Sequence, residues 1–127
     1  MAFINEQNYV DEAEKAILSL KDKNGKNMLP SMSKLRNILN LTADIYNDIR
    51  FWQDEKLSTE ICGRIDYLRV RLIYEAGREP NVRKLVERAK LIDILKDIKG
   101  SKKNYFLFYR YMEALVAFHK FNGGKEY

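Results

Sequence analysis

The chain has 127 residues, of which 46% are hydrophobic and 32% are charged. It can bury a core of its own, and it is too short for two ordinary domains. A single Cys excludes a disulfide framework, and one Cys with one His excludes a His/Cys metal cluster within one chain. The net charge is +5, and the surplus lies in residues 31–127, which carry 19 Lys or Arg and 13 acids. This surplus favours polyanionic partners, with nucleic acid first.

The pattern of apolar residues predicts neither a membrane span nor a signal peptide. No apolar run approaches the roughly 20 residues that a span needs. The segment from Met1 to Asp11 has no basic region followed by an apolar stretch. We therefore expect a cytoplasmic protein.

Apolar residues recur at helical spacing in five segments. Their approximate bounds are Asn8–Leu20, Ser31–Gln53, Ser58–Ala76, Pro80–Ile98 and Ser101–Phe121. Between the first two segments, Asn24-Gly25 is a turn signal and Pro30 cannot continue a helix. We expect a mobile loop over residues 21–33.

Residues at the helix ends support this division. Ser58-Thr59 offers N-cap choices for the third helix, and Ser101 is the expected N-cap of the fifth. Pro80 suits a first helical position. Gly77 is expected to stop the third helix and Gly100 the fourth. No segment alternates apolar and polar residues in the manner of a strand. The sequence predicts an all-α fold, a single compact bundle of about five helices over residues 1–127.

The fifth predicted helix is apolar almost all round. Aromatic and aliphatic residues occupy most positions from Tyr105 to Phe118. A helix of this kind lies either at the centre of the bundle or at a contact between subunits.

The chain lacks the signatures of an enzyme. It has no Gly-rich phosphate loop, no nucleophile elbow and no metal-binding helix pair. His119 and Cys62 have no partner that indicates catalysis, so we interpret both as packing residues. Asp44 and Asp48 could be drawn as a metal pair, but a solvated helix face is the simpler interpretation. We predict no enzymatic activity, no cofactor and no metal.

Arginine and tyrosine alternate along one side of the third helix. Arg64, Tyr67, Arg71, Tyr74 and Arg78 are spaced by three and four residues and fall within an arc of roughly 80°. Guanidinium groups match phosphate oxygens, and tyrosine offers stacking or a hydroxyl contact. The alternative is that both tyrosines are buried edges whose arginine neighbours pair with acids.

Two smaller basic groups open helices. Lys34 and Arg36 follow the expected loop at the start of the second helix, and Lys102 and Lys103 start the fifth. Cations are mildly unfavourable at a helix N-terminus, whereas its N–H groups attract anions. Charge at a helix start usually serves solvation, and the unfavourable placement makes a ligand contact the second interpretation of these cations.

Five sequence runs resemble a known family. They are Ser33-Lys34-Leu35-Arg36-Asn37, Tyr67-Leu68-Arg69-Val70-Arg71, Tyr74-Glu75-Ala76-Gly77-Arg78-Glu79, Ser101-Lys102-Lys103 and Tyr111-Met112-Glu113-Ala114-Leu115-Val116-Ala117. They are similar to the small helical subunit of type III-A CRISPR–Cas interference (Csm) complexes. The resemblance covers roughly residues 31–121.

The resemblance implies a non-catalytic RNA-binding subunit of an antiviral effector complex. Several copies would stack along the groove where target RNA pairs with CRISPR RNA, beside the backbone and large subunits. Base pairing would read the sequence, so this subunit would contact RNA backbone. The expected RNA-binding residues are Lys34, Arg36, Arg64, Arg71, Tyr74, Arg78, Lys102 and Lys103. Arg69 lies on the opposite flank of the third helix, where pairing with acids is the alternative role.

Two other functions stay open from the sequence. A helix-turn-helix DNA regulator would use the turn from Gly77 to Pro80 and the start of the fourth helix, Asn81-Val82-Arg83-Lys84. A purely structural adaptor would contact no nucleic acid.

Overall fold

The computed structural model describes residues 3–21 and 28–123, and the chain is helical over most of them. Six helices are found there: α1 Tyr9–Ser19, α2 Met32–Ile49, α3 Thr59–Arg78, α4 Pro80–Arg88, α5 Leu91–Lys96 and α6 Lys102–Phe121. No strand is present within these two ranges, and an isolated antiparallel bridge joins Lys56 to Ser101. The predicted all-α bundle is confirmed. No helix in the described part of the chain is long and apolar enough to cross a membrane.

Serine hydroxyls fix the starts of the three long helices. The side chains of Ser31, Ser58 and Ser101 each accept a hydrogen bond from the backbone N–H three residues later. These bonds satisfy donors that have no partner inside a helix. Of the N-cap choices that Ser58-Thr59 offers, Ser58 is the one used, and the N-cap predicted at Ser101 is confirmed.

The prediction of one helix over Pro80–Ile98 is wrong, because the chain breaks at Lys90. Lys90 adopts a left-handed conformation with φ of 57°, and it separates α4 from α5. The carbonyl of Ala89 accepts a hydrogen bond of 3.0 Å from the buried hydroxyl of Tyr111. The break lets apolar residues of both short helices reach the core. These residues are Val82, Leu85, Val86, Leu91, Ile94 and Leu95.

Gly77 does not end α3, contrary to the prediction. The helix continues to Arg78, and Glu79 then turns to an extended conformation with φ of −126° and ψ of 114°. The cause is Pro80, because a residue that precedes proline is driven out of the helical region. The prediction that Gly100 stops the fourth helix is also wrong, because α5 already ends at Lys96. Gly100, with φ of 73°, lies in the turn that precedes α6.

The last helix, α6, is the centre of the bundle. It packs on α1 and α2. Two hydrogen bonds of 2.6 Å show that it runs antiparallel to α2: near its start the Tyr105 hydroxyl donates to the Thr42 carbonyl, and near its end His119 Nε2 donates to the Pro30 carbonyl, just before α2. Its buried residues are Tyr105, Leu107, Phe108, Tyr111, Met112, Leu115 and His119. Of the two positions that the sequence allowed for this helix, the structure shows the central one.

The expected loop over residues 21–33 is only partly described, since residues 22–27 lie outside the described ranges. In its described part, Leu29 and Pro30 are buried against the bundle, and α2 already begins at Met32. The mobility of the loop stays a prediction for the segment that is not described.

Candidate nucleic-acid interface

A groove runs between the antiparallel helices α2 and α3, and we call it the α2–α3 groove. It consists of two cavities of about 470 Å³ and 310 Å³ that share the residues Leu41 and Arg71. Leu41, Ile45 and Leu68 supply apolar surface, and Tyr67 forms part of one wall. The groove can therefore accept apolar or aromatic groups beside charged ones.

All three arginines of the predicted stripe line the α2–α3 groove. Arg64 and Arg71 line the larger cavity, and Arg71 and Arg78 line the smaller one. Arg64 forms an ion pair with Asp48 of α2 across the groove. Arg71 is half-buried, and its side chain has no hydrogen bond or ion pair among the described residues. Arg71 is thus a cation in the middle of the groove that is available to a phosphate.

The other end of the groove combines cations with acids. Lys34 is 3.3 Å from Glu79, and Arg78 is 3.7 Å from Glu75. The guanidinium of Arg78 also lies 5.5 Å from the centre of the Tyr74 ring, at the distance of a cation–π contact. Exposed ion pairs of this kind contribute little stability. A phosphate can therefore compete for these cations at small cost.

Each of the two interpretations of the stripe is right in part. Arg64 and Arg78 do pair with acids, as the structural alternative expects. Tyr67 and Tyr74 are not buried edges, since they are 60% and 58% exposed. Their exposure leaves both rings available for stacking or for a protein contact.

Lys102 and Lys103 lie outside the α2–α3 groove, at the start of α6. There the carboxylate of Glu55 accepts a hydrogen bond of 3.0 Å from the Lys103 backbone N–H and another from the Ser101 hydroxyl. The Lys102 ammonium donates to the Trp52 carbonyl. The anion position at this helix N-terminus is thus filled by the chain's own carboxylate. Arg36 is exposed on α2 and does not line the groove.

His119 and Cys62 occupy packed positions. His119 is fully buried. Its Nε2 donates to the Pro30 carbonyl, and its Nδ1 has no hydrogen-bond partner among the described residues. Cys62 is half-buried, and its Sγ lies 3.9 Å from the Leu57 carbonyl oxygen. The described residues contain no group of three or more His, Cys, Asp or Glu placed to hold a metal ion.

The side of α3 that faces away from the core is an exposed apolar surface, which the sequence pattern was not interpreted to predict. Four large residues are exposed there, and we call them the α3 outer face: Tyr67, Val70, Ile73 and Tyr74. The spacing of three and four between positions 67, 70 and 74 was the available signal. It was masked because the core residues of α3 follow the same spacing on the opposite side. An exposed apolar patch of this kind marks a contact surface.

Comparisons with a family model and with individual proteins point to the same family. A family model described as Csm2 Type III-A matches residues 5–125. The chain is 41% identical over 126 residues to the CRISPR system Cms protein Csm2 of Streptococcus thermophilus, which covers 99% of this chain and all of that protein. It is 35% identical over 121 residues to the protein of the same name from Mycobacterium tuberculosis H37Rv, which covers 95% of this chain and 96% of that protein.

Proposed function

This chain belongs to the Csm2 family of type III-A CRISPR systems, and from that premise we propose that it is a non-catalytic subunit that holds RNA by its backbone. In this proposal the α2–α3 groove contacts target RNA paired with CRISPR RNA. The backbone and large subunits and further copies of the chain are its protein partners. Guide–target pairing reads the sequence, so the groove needs to recognise only phosphates and sugars.

The observation that carries the proposal is that four of the seven predicted RNA-binding cations line one groove. Lys34, Arg64, Arg71 and Arg78 all line the α2–α3 groove, and Arg71 has no carboxylate partner among the described residues. An unpaired, half-buried guanidinium gains more from a phosphate than a cation that already has an acid. Arg71 is therefore the residue on which affinity should depend most.

The proposal is tested by replacing Arg71 with Gln in the full chain and measuring target-RNA binding by the assembled effector complex over a series of salt concentrations. Loss of one phosphate contact should flatten the slope of log affinity against log salt by about 0.7 for a single strand. Two RNAs of unrelated sequence, each with its matched guide, should lose affinity alike, because the contact carries no base preference.

The matched control is Arg83→Gln on α4. Arg83 is exposed, pairs with Glu87 at 2.9 Å and lies outside the groove. The Arg83→Gln variant removes the same charge as Arg71→Gln, and its slope of log affinity against log salt should equal that of the parent within error. Equal effects of Arg71→Gln and Arg83→Gln would mean that binding senses only net charge, and the proposed groove would be wrong.

The stacking of copies is proposed on the α3 outer face rather than on α6. The bundle covers α6 on most sides, whereas Tyr67, Val70, Ile73 and Tyr74 are more than half exposed. Burial of such residues between copies would supply the apolar contact that an assembly needs.

The helix-turn-helix alternative is not favoured. Asn81, at the start of α4, donates its side-chain N–H to the Leu29 carbonyl at 3.3 Å, and Arg83 pairs with Glu87 along the helix. A recognition helix presents such side chains to base edges instead.

A further inference from the structure

A second groove lies on the other flank of α3, and the proposed function does not use it. It is a cavity of about 370 Å³ between α3, α5 and the turn that precedes α6, and we call it the α3–α5 groove. Its charged lining residues are Lys56, Arg69, Lys96, Lys99 and Asp66. Four cations therefore face one acid.

The cations of the α3–α5 groove are less neutralised than those of the α2–α3 groove. The side chains of Lys56, Arg69 and Lys96 make no ion pair or hydrogen bond within the part of the chain that is described. Lys99 reaches Asp97 only at 3.8 Å, and its side chain is 78% exposed. The alternative role of Arg69, pairing with acids, finds no acid partner among the described residues. Like charges that surround one cavity repel each other, and an anion in the cavity relieves that repulsion.

The floor of the α3–α5 groove is apolar. Leu57, Ile65 and Ile98 line it beneath the cationic rim, and the half-buried Cys62 lies among them. Gly100 closes one end with φ of 73°, and a Cβ at this position would come within 3.5 Å of Cys62 Sγ. A rim of cations above an apolar floor fits a polymeric ligand that carries negative charges along one edge and less polar groups on the other.

We propose that the α3–α5 groove binds the phosphodiester backbone of one nucleic-acid strand, so that α3 lies between two strands. The groove itself is argued from its own charges. The choice of a nucleic acid over an acidic peptide rests on the proposed function, because a subunit of an RNA-guided system works beside more than one strand. The fork of the Arg69 guanidinium also matches a phosphate with two N–H donors.

Cys62 is the single cysteine of the chain, so its alkylation reports on the α3–α5 groove directly. The full chain is treated with iodoacetamide, alone or with a 12-nucleotide oligouridylate, and the modified fraction is followed by mass spectrometry. We expect RNA to slow the alkylation several-fold at low salt and to lose this effect at high salt. An oligothymidylate DNA of equal length should protect equally if only the backbone is bound, and less if the ribose hydroxyls contribute.

The variant Arg64→Gln/Arg71→Gln separates the two grooves. Protection of Cys62 should persist in it, even if its RNA binding through the α2–α3 groove is lost. Loss of protection in this variant would mean that the effect is transmitted from the other groove, and the second site would be wrong. Protection by polyglutamate but not by RNA would overturn the choice of nucleic acid.

A charge-matched pair of variants provides the second measurement. Arg69→Gln/Lys96→Gln removes one Arg and one Lys from the α3–α5 groove. Lys15→Gln/Arg110→Gln removes the same charges from exposed positions on α1 and α6. The first variant should lose the protection of Cys62 by RNA. It should also flatten the slope of log RNA affinity against log salt by about 1.4, at about 0.7 for each phosphate contact, and the second variant should show neither effect. Equal slopes in the two variants would refute the proposal.

Discussion

The Tyr111 hydroxyl bonds to the backbone at the break between α4 and α5, which the sequence did not predict, so Tyr111→Phe tests what stabilises this break. Ala89 is the last residue before the left-handed Lys90, and its carbonyl accepts the buried Tyr111 hydroxyl at 3.0 Å. Within the described residues no backbone N–H bonds to this carbonyl. Replacement of Tyr111 by Phe therefore leaves a buried acceptor without a partner.

The expected cost of Tyr111→Phe follows from that missing partner. An unsatisfied buried acceptor costs about 1–3 kcal/mol of unfolding free energy. For a chain of this length, each kcal/mol corresponds to about 4 °C of melting temperature, so the variant should melt about 4–12 °C lower. The ring stays buried, so no cavity is created beyond the missing oxygen.

The assay is thermal unfolding followed by circular dichroism at 222 nm, with Tyr109→Phe as the matched control. Tyr109 lies on the same helix and stacks on Tyr46 at 4.2 Å, but its hydroxyl has no partner among the described residues. Its loss should shift the melting temperature by less than about 2 °C, as expected where no buried hydrogen bond is broken. Equal melting temperatures for Tyr111→Phe and the parent would show that the Ala89 carbonyl does not depend on this hydroxyl.

Three further predictions concern pH, catalysis and assembly. Burial raises the pKa values of Tyr105 and Tyr111 above the ordinary value near 10. The free energy of unfolding should therefore be constant below pH 10 and fall above it, because the unfolded chain loses these protons first. The fall should be about 1.4 kcal/mol per pH unit for each tyrosine. Urea titrations from pH 9 to 11 should show a smaller fall in Tyr111→Phe. The purified chain should leave labelled RNA intact with or without Mg²⁺ or Mn²⁺, and cleavage that disappears in Asp44→Asn/Asp48→Asn would contradict the non-catalytic proposal. The free chain should self-associate weakly in sedimentation experiments, and Val70→Glu on the α3 outer face should abolish this while Phe121→Glu, also exposed, should not.

The predicted helix starts that the structure confirms are those fixed by residues close to them in sequence. Ser58 and Ser101 cap their helices because a hydroxyl in that position needs only the next turn of the same helix. The break at Lys90 could not be predicted in this way. The apolar spacing continues across it, and the hydrogen bond to the Ala89 carbonyl comes from Tyr111, 22 residues after Ala89 in the chain.

The candidate site shows the same limit. Helical spacing alone places Arg64, Arg71 and Arg78 on one side of α3, and all three line one groove. The spacing does not show which of them has a carboxylate partner. Asp48 of α2 reaches Arg64, Glu75 of α3 itself reaches Arg78, and no described carboxylate pairs with Arg71. Lys102 and Lys103 look equally open in the sequence, but Glu55 occupies the helix start beside them.

The functional proposals all meet on α3, and the geometry of a single helix explains why. Its buried residues Ile61, Ile65, Leu68 and Leu72 lie within one narrow stripe, because they recur at spacings of three and four. About two-thirds of the helix circumference is then left outside the core. The arginine stripe, the α3 outer face and Arg69 divide that surface in order around the axis. A helix held at both ends by Ser58 and Pro80 keeps these three surfaces at fixed angles, so a strand in one groove and a neighbouring copy would be positioned relative to each other by α3 alone.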